Sequence, residues 1–121
     1  CSSGIEPLYG VAYTKTVMDG TTLTYVHPFF EQLAKKEGWY SKPLMEAIVQ
    51  KGTIEDFSEI PNYLKKLFVT AHQISPREHV LMQAIFQKYI DSGVSKTINL
   101  ANSASEEEVK KSFLLAWQSN C

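Results

Sequence analysis

The sequence is poor in cysteine and has no excess of charge of either sign. Its two cysteines are too few for a disulfide-dense secreted scaffold, and they form no Cys-x-x-Cys pair. The sequence has 12 basic and 13 acidic residues, so it predicts neither a basic patch for nucleic acid nor an acidic tail. No apolar run reaches the roughly 20 residues that span a bilayer, and no charged leader precedes an apolar stretch. We therefore expect no nucleic-acid or membrane partner, and a cytoplasmic location.

The remaining composition is that of one globular domain. The hydrophobic share is 44% and the charged share is 21%, so we treat residues 1–121 as a single segment. Cys1 and Cys121 are the first and last residues. An end-to-end disulfide and two thiols of a longer chain both remain open for them.

Residues 8–26 have the pattern of a β-hairpin. The first run contains the strand formers Val11, Tyr13 and Val17, and the second contains Leu23, Tyr25 and Val26. Asp19-Gly20 separates them and predicts the turn, because glycine adopts the positive φ that tight hairpin turns require.

Helix signals follow the hairpin. Pro28, Ser41 and Pro61 mark three helix starts, and Gly38 and Gly52 mark two helix ends. The expected apolar faces consist of Phe29, Phe30, Leu33 and Ala34 in the first helix, Leu44, Met45, Ile48 and Val49 in the second, and Leu64, Leu67 and Phe68 in the third.

Two capping boxes predict the last two helices. Ser75 and Glu78, with Pro76 between them, open one helix, which we expect to end at Gly93. Ser105 and Glu108 open the other. The expected apolar faces are Val80, Met82, Ile85, Phe86, Tyr89 and Ile90 in the first of these helices and Val109, Phe113, Ala116 and Trp117 in the second.

Residues 94–100 (VSKTINL) lie between these helices and have the alternation of a strand. Helix, strand and helix in this order indicate part of an α/β arrangement. A lone strand cannot satisfy its backbone groups, so it must pair with the hairpin or with strands outside this sequence. We therefore expect the chain to be a piece of a larger protein.

Candidate chemistry in the sequence is sparse. His27, His72 and His79 have no ligand partner at helical i, i+4 spacing, so no metal site is predicted. The GVSKT stretch lacks the first glycine and the Gly-Lys step of a phosphate loop. No serine or cysteine has the context of a nucleophile, and we predict no catalytic residue. Glu6, in a Gly-Ile-Glu-Pro turn, is expected to accept backbone N–H bonds and not to act as a base.

Three stretches in order carry a family pattern. They are SSGIEP with the following YGVAYTK, then HVLMQAIFQKYIDSGVSKTINL at 79–100, then EEVKKSFLLAWQSNC at 107–121. Together they resemble the C-terminal part of the catalytic chain of ribonucleotide reductases, most closely the adenosylcobalamin-dependent class II enzymes. The residues of the second stretch that match the family pattern are Gln83, Gln87, Asp91, Ser95, Lys96, Thr97 and Asn99.

The resemblance implies a fold and an activity. The fold class is α/β, a mainly helical fragment of a ten-stranded α/β barrel with an N-terminal hairpin and one strand near 94–100. The implied enzyme reduces ribonucleotides to deoxyribonucleotides by cysteine-radical chemistry with adenosylcobalamin and a thiol reductant. The radical cysteine, its partners and the reducing pair map onto no residue of this chain, so the resemblance implies a segment that is inactive alone.

The resemblance also implies two site elements. One is a turn near the substrate phosphate, formed by Ser2, Ser3, Gly4, Ile5, Glu6 and Pro7. The other is the barrel strand with its supporting helix, where Gln83, Gln87 and Asp91 are expected to fix helix-to-strand geometry. Ala101-Asn102 stands where the family often has a proline, which leaves the assignment intact.

Alternative interpretations are a fragment of a class I large subunit and a small helical interaction module. SKTINL favours class II over class I. An exposed apolar groove for a partner helix would favour the module. The implied partners are the ribonucleotide, the rest of the reductase chain and a thiol reductant system, with a homo-oligomer left open.

Overall fold

A computed structural model describes residues 4–121, and Cys1, Ser2 and Ser3 lie outside the described residues. The elements in chain order are β1 (Ala12–Thr16), β2 (Thr22–Val26), α1 (Pro28–Lys36), α2 (Lys42–Lys51), α3 (Asn62–Leu67), a 3₁₀ turn (Ala71–Gln73), α4 (Pro76–Gln87) and α5 (Glu106–Gln118). These residues form two compact units. The first unit is Leu8–Thr70, and the second combines residues 4–7 with Ala71–Cys121.

The predicted hairpin is confirmed. β1 and β2 pair antiparallel, from Ala12 opposite Val26 to Thr16 opposite Thr22. Gly20 has φ +83°, as the turn prediction requires. The connection takes in residues 17–21, so Val17, predicted in the first strand, lies in the turn.

The core of the first unit lies between the hairpin base and the three helices. Phe30, Ala34 and Leu64 are completely buried, and the Phe30 ring contacts Trp39 and Phe68 edge to face. The remaining buried apolar residues of this core are Val11, Ala12, Met45, Ile48, Ile54, Ile60 and Phe68. Phe29 is 50% exposed, so the buried face of α1 is narrower than predicted.

The local capping signals act as predicted. The Ser41 hydroxyl accepts the Leu44 N–H at 3.2 Å and opens α2. Gly52 ends this helix in the left-handed region, at φ +71°, where a side chain would be strained. Both capping boxes are formed at the starts of α4 and α5.

α4 ends earlier than predicted, at Gln87 and not at Gly93. The last turn tightens, with the Tyr89 N–H donating to Phe86 and the Ile90 N–H to Gln87. The Gln87 side chain then takes up the backbone groups that follow, so no further helical turn is needed.

The prediction that Phe113 and Trp117 of α5 face inward is wrong. Phe113 and Trp117 are 74% and 75% exposed, whereas Ser112 is buried and its hydroxyl donates to the Glu108 carbonyl. The side of α5 that carries Ser112, Leu115 and Ala116 therefore packs within its unit, and no described element of that unit covers Phe113 and Trp117. On α4 and just after it, Met82, Ile85, Phe86, Tyr89 and Ile90 are exposed for the same reason.

The predicted strand at 94–100 is not formed within the described residues. Their only sheet has two strands, β1 and β2, and a strand needs a backbone partner. The predicted alternation nevertheless persists in burial at the start of the segment. Val94, Lys96 and Ile98 are half-buried, and Ser95 and Thr97 are exposed. The segment thus has the side-chain pattern of a strand without its ladder.

None of the helices within residues 4–121 combines the length and the apolar character needed to cross a bilayer.

Candidate functional site

The turn at residues 4–7 is attached to the 94–100 segment through the Glu6 carboxylate. One oxygen, Oε2, lies 2.6 Å from the Lys96 ammonium, and the other, Oε1, accepts the Thr97 N–H at 2.8 Å. Gly4 opens the turn at φ +58°. Glu6 is therefore the backbone acceptor that its turn position predicts, and its partners are two consecutive residues distant in sequence.

Lys96 holds the other half of this contact. Its side chain is 1% exposed, whereas that of Glu6 is 32% exposed. The Lys96 ammonium also donates to the Thr97 carbonyl at 2.7 Å. A buried ammonium is costly unless it is paired and hydrogen-bonded, and here it has both kinds of partner. We call this arrangement of Glu6, Lys96 and Thr97 the carboxylate latch.

The electrostatics of the latch favour an ionised Glu6. Partial burial raises the pKa of Glu6, but the Lys96 hydrogen bond, the Thr97 N–H and the electrostatic interactions with Lys96 and His79 outweigh it. The net effect holds the pKa of Glu6 below its ordinary value. Glu6 is thus a charged anchor at neutral pH and a poor proton acceptor.

Two glutamines on α4 hold the same segment from the helix side. The Gln83 side-chain amide donates to the Val94 carbonyl at 2.8 Å, and the Val94 N–H donates to Gln87 Oε1 at 2.8 Å. Gln87 Nε2 also donates to the Ile90 and Ser92 carbonyls, each at 3.0 Å. Because the glutamines are one helical turn apart, they satisfy both backbone groups of one residue. We call this pair the glutamine clamp.

The clamp and the latch together replace a strand partner on part of the segment. Val94 and Thr97 have their backbone N–H and C=O groups satisfied by side chains. The backbone groups of Ser95, Lys96 and Ile98 form no hydrogen bond with any part of the chain that the structure describes. Side chains therefore satisfy the backbone at Val94 and Thr97, and the other backbone groups of the segment remain available for a backbone partner.

The other predicted site residues are not brought into this network. Asp91 and Ser95 are exposed and form no hydrogen bond or ion pair with residues 4–121. Asn99 lines a different surface groove of about 440 Å³, alongside both capping boxes. Ser2 and Ser3, predicted in the turn, lie outside the described residues.

A second groove, of about 420 Å³, lies beside the latch. Gln83 and Lys96 line it together with apolar residues of the 94–100 segment and of α5. Cys121, an exposed thiol, also lies on its wall. The groove has an apolar character that suits packing more than the binding of a charged ligand.

Sequence reasoning missed the pairing of Glu6 with Lys96 and the burial of His79. His79 is 1% exposed, and its Nε2 lies 3.0 Å from the Ala71 carbonyl oxygen. No local pattern marks a contact between residues 90 positions apart. Within residues 4–121 no three His, Cys, Asp or Glu side chains gather where they could hold a metal ion.

Comparison with known proteins bears on the whole chain. The family model for the ribonucleotide reductase barrel domain matches residues 1–121. The chain belongs to this family. It is 44% identical over its full length to the vitamin B12-dependent ribonucleoside-diphosphate reductase of Thermoplasma acidophilum. Over 117 residues, 97% of the chain, it is 34% identical to the enzyme of that name from Mycobacterium tuberculosis.

The barrel-domain segment is a small part of such proteins. It covers 16% of the Thermoplasma reductase and 17% of the mycobacterial one. Among solved structures it is similar in fold to the class Id ribonucleotide reductase alpha subunit of Actinobacillus ureae. The TM-score is 0.76 at 23% identity, covering 94% of this chain and 20% of that one. The resemblance named from SGIEP and SKTINL is confirmed.

Proposed function

We propose that this segment is part of a class II ribonucleotide reductase, which converts ribonucleotides to deoxyribonucleotides by cysteine-radical chemistry. The observation that carries the proposal is the carboxylate latch, since it joins the SGIEP turn to the SKTINL segment, two stretches on which the resemblance depends. The B12-dependent relatives favour class II over class I. Their names also favour a ribonucleoside diphosphate as the substrate.

The segment acts as scaffold in this proposal and carries no catalytic residue. Residues 2–7 form the turn next to the substrate phosphate, and residues 94–100 form a barrel strand. The free backbone groups of Ser95, Lys96 and Ile98 support the strand, because they face no partner within the described part of the chain and can pair with a neighbouring barrel strand. Gln83 and Gln87 support it from the helix.

Adenosylcobalamin is the proposed cofactor of the full-length enzyme, and it supplies the initiating radical when bound. The described residues offer no gathered metal ligands, and we assign none of them to cobalamin. The other proposed partners are the ribonucleotide, the rest of the chain and a thiol reductant system. A cytoplasmic location completes the proposal.

The test is reduction by the full-length protein that contains this segment. Purified chain, a ribonucleoside diphosphate, adenosylcobalamin and a dithiol should yield the corresponding deoxyribonucleotide. Omitting adenosylcobalamin should abolish the product, and residues 1–121 alone should give none. Activity that requires a second, metal-containing subunit instead would assign the chain to class I. No deoxyribonucleotide under either condition would refute the proposal.

The helical interaction module is the weaker candidate. It predicts that residues 1–121 form a monodisperse monomer with cooperative unfolding. A barrel segment predicts self-association through its uncovered α4 and α5 faces and the open edge at 94–100. Analytical ultracentrifugation of the isolated segment separates the two.

A further inference from the structure

We propose that Glu6 and Lys96 are a positioning pair, which fixes the turn at residues 4–7 so that the substrate phosphate binds beside it. This inference rests on the proposed function and adds to it the residues that set the position of the turn. Neither side chain is assigned to the reacting atoms. Their proposed effect is on the binding of the ribonucleotide.

The geometry of the carboxylate supports positioning. Both oxygens of Glu6 are used, one by the Lys96 ammonium at 2.6 Å and one by the Thr97 N–H at 2.8 Å. Two contacts to consecutive residues prevent the carboxylate from rotating about a single hydrogen bond. The turn is therefore held at a fixed place and orientation on the 94–100 segment.

The segment that receives the turn is itself anchored. The glutamine clamp binds both backbone groups of Val94 to α4, two residues before Lys96. Lys96 further donates to the Thr97 carbonyl at 2.7 Å. A chain of contacts thus leads from a capped helix to the turn, and its hydrogen bonds are 2.6–2.8 Å long.

The burial of the Lys96 side chain indicates a positioning role and not a catalytic one. The Lys96 side chain is 1% exposed, so its ammonium cannot reach a substrate without leaving Glu6 and Thr97. Glu6 accepts on both oxygens and is held ionised, so it is poorly suited to remove a proton. Loss of the pair should therefore weaken substrate binding and leave the chemical step intact.

The test measures KM and kcat separately in the full-length reductase. Glu6→Gln keeps an acceptor for the Thr97 N–H but removes the charge that pairs with Lys96. Lys96→Met removes the same interaction from the other side. Because the turn is then no longer held in place beside the phosphate, binding is lost equally in the ground state and the transition state, and we expect KM to rise about tenfold in each variant. We expect kcat to stay within about twofold, and the double variant to be no worse than either single one.

Glu31→Gln is the matched control. It breaks another Glu–Lys contact, with Lys35 at 2.7 Å, on an exposed helix surface. Its KM should equal that of the wild type. If Glu6→Gln and Lys96→Met are insoluble, Glu6→Asp keeps the charge and shortens the reach by one methylene, so its KM should also rise.

Two results would overturn the positioning role. One is an unchanged KM in a folded Glu6 or Lys96 variant, and the other is a loss confined to kcat. An inactive wild-type protein would overturn the proposed reductase activity instead. Wild-type turnover with an unaffected variant KM overturns only the positioning role, so the two failures are distinguishable.

Discussion

Replacing Gln87 should release the Val94 amide, while replacing Gln83 should not. Gln87 Oε1 accepts the Val94 N–H at 2.8 Å, and this contact is partly buried. Gln83 binds only the carbonyl of Val94, also at 2.8 Å. Both glutamines bind Val94, and both substitutions remove one side-chain amide from the same face of α4. Gln87→Leu and Gln83→Leu are therefore a matched pair.

The expected change in the exchange rate of the Val94 amide follows from the energy of the hydrogen bonds that are lost. A hydrogen bond of this kind contributes about 0.5–1.5 kcal/mol net, and 1.4 kcal/mol corresponds to about a factor of ten. Gln87 also binds the Ile90 and Ser92 carbonyls, but these contacts are exposed and contribute at the lower end of that range. We expect the Val94 amide to exchange about tenfold faster in Gln87→Leu and less than about threefold faster in Gln83→Leu.

Hydrogen exchange at single-residue resolution measures this directly. Amides in the middle of α4, such as that of Val80, report on general destabilisation and should exchange at the wild-type rate in both variants. Equal acceleration of Val94 in the two variants would refute the reasoning. It would mean that the segment opens as a whole and that Gln87 does not specifically hold the Val94 amide.

Three further predictions concern the latch, the caps and the core. Since the fold lowers the pKa of Glu6, the ionised carboxylate contributes to the free energy of unfolding. This contribution is present above the unfolded pKa of 4.5 and is lost as the pH falls through the folded pKa. Carbon-13 NMR of the Glu6 carboxyl should follow this titration. The measured pKa of Glu6 should be higher in Lys96→Met than in the wild type. Ser75→Ala and Ser105→Ala should each lower the unfolding free energy by about 0.5–2 kcal/mol in urea, as lost caps do. Leu64→Ala, at a fully buried position, should cost about 2–5 kcal/mol in the same assay.

Local signals predicted much of the secondary structure because they act within a few residues. The cap at Ser41, the capping boxes at Ser75 and Ser105, and the turn at Gly20 are each specified by neighbours in sequence. These features satisfy backbone groups on the spot, so no knowledge of the tertiary structure is needed. Glu6 could be predicted as a backbone acceptor for the same reason, from its place in a turn.

Tertiary features could not be predicted in the same way. The periodicity of α5 identified an apolar face at Phe113 and Trp117, but periodicity does not reveal whether anything covers that face. The end of α4 at Gln87 depends on a side chain that competes for the following carbonyls, a contact with no sequence signature. The pairing of Glu6 with Lys96 depends on the fold alone.

The backbone of residues 94–97 explains how a strand pattern can exist without a sheet. In an ordinary ladder each strand edge binds a neighbour, but here Val94 and Thr97 bind side chains of α4 and of the turn. Such contacts hold the backbone at Val94 and Thr97 while leaving Ser95 and Lys96 with free backbone groups. The glutamine clamp and the carboxylate latch therefore fix the position of the segment through side-chain contacts, and they leave the backbone groups of the residues between Val94 and Thr97 unpaired among the described residues.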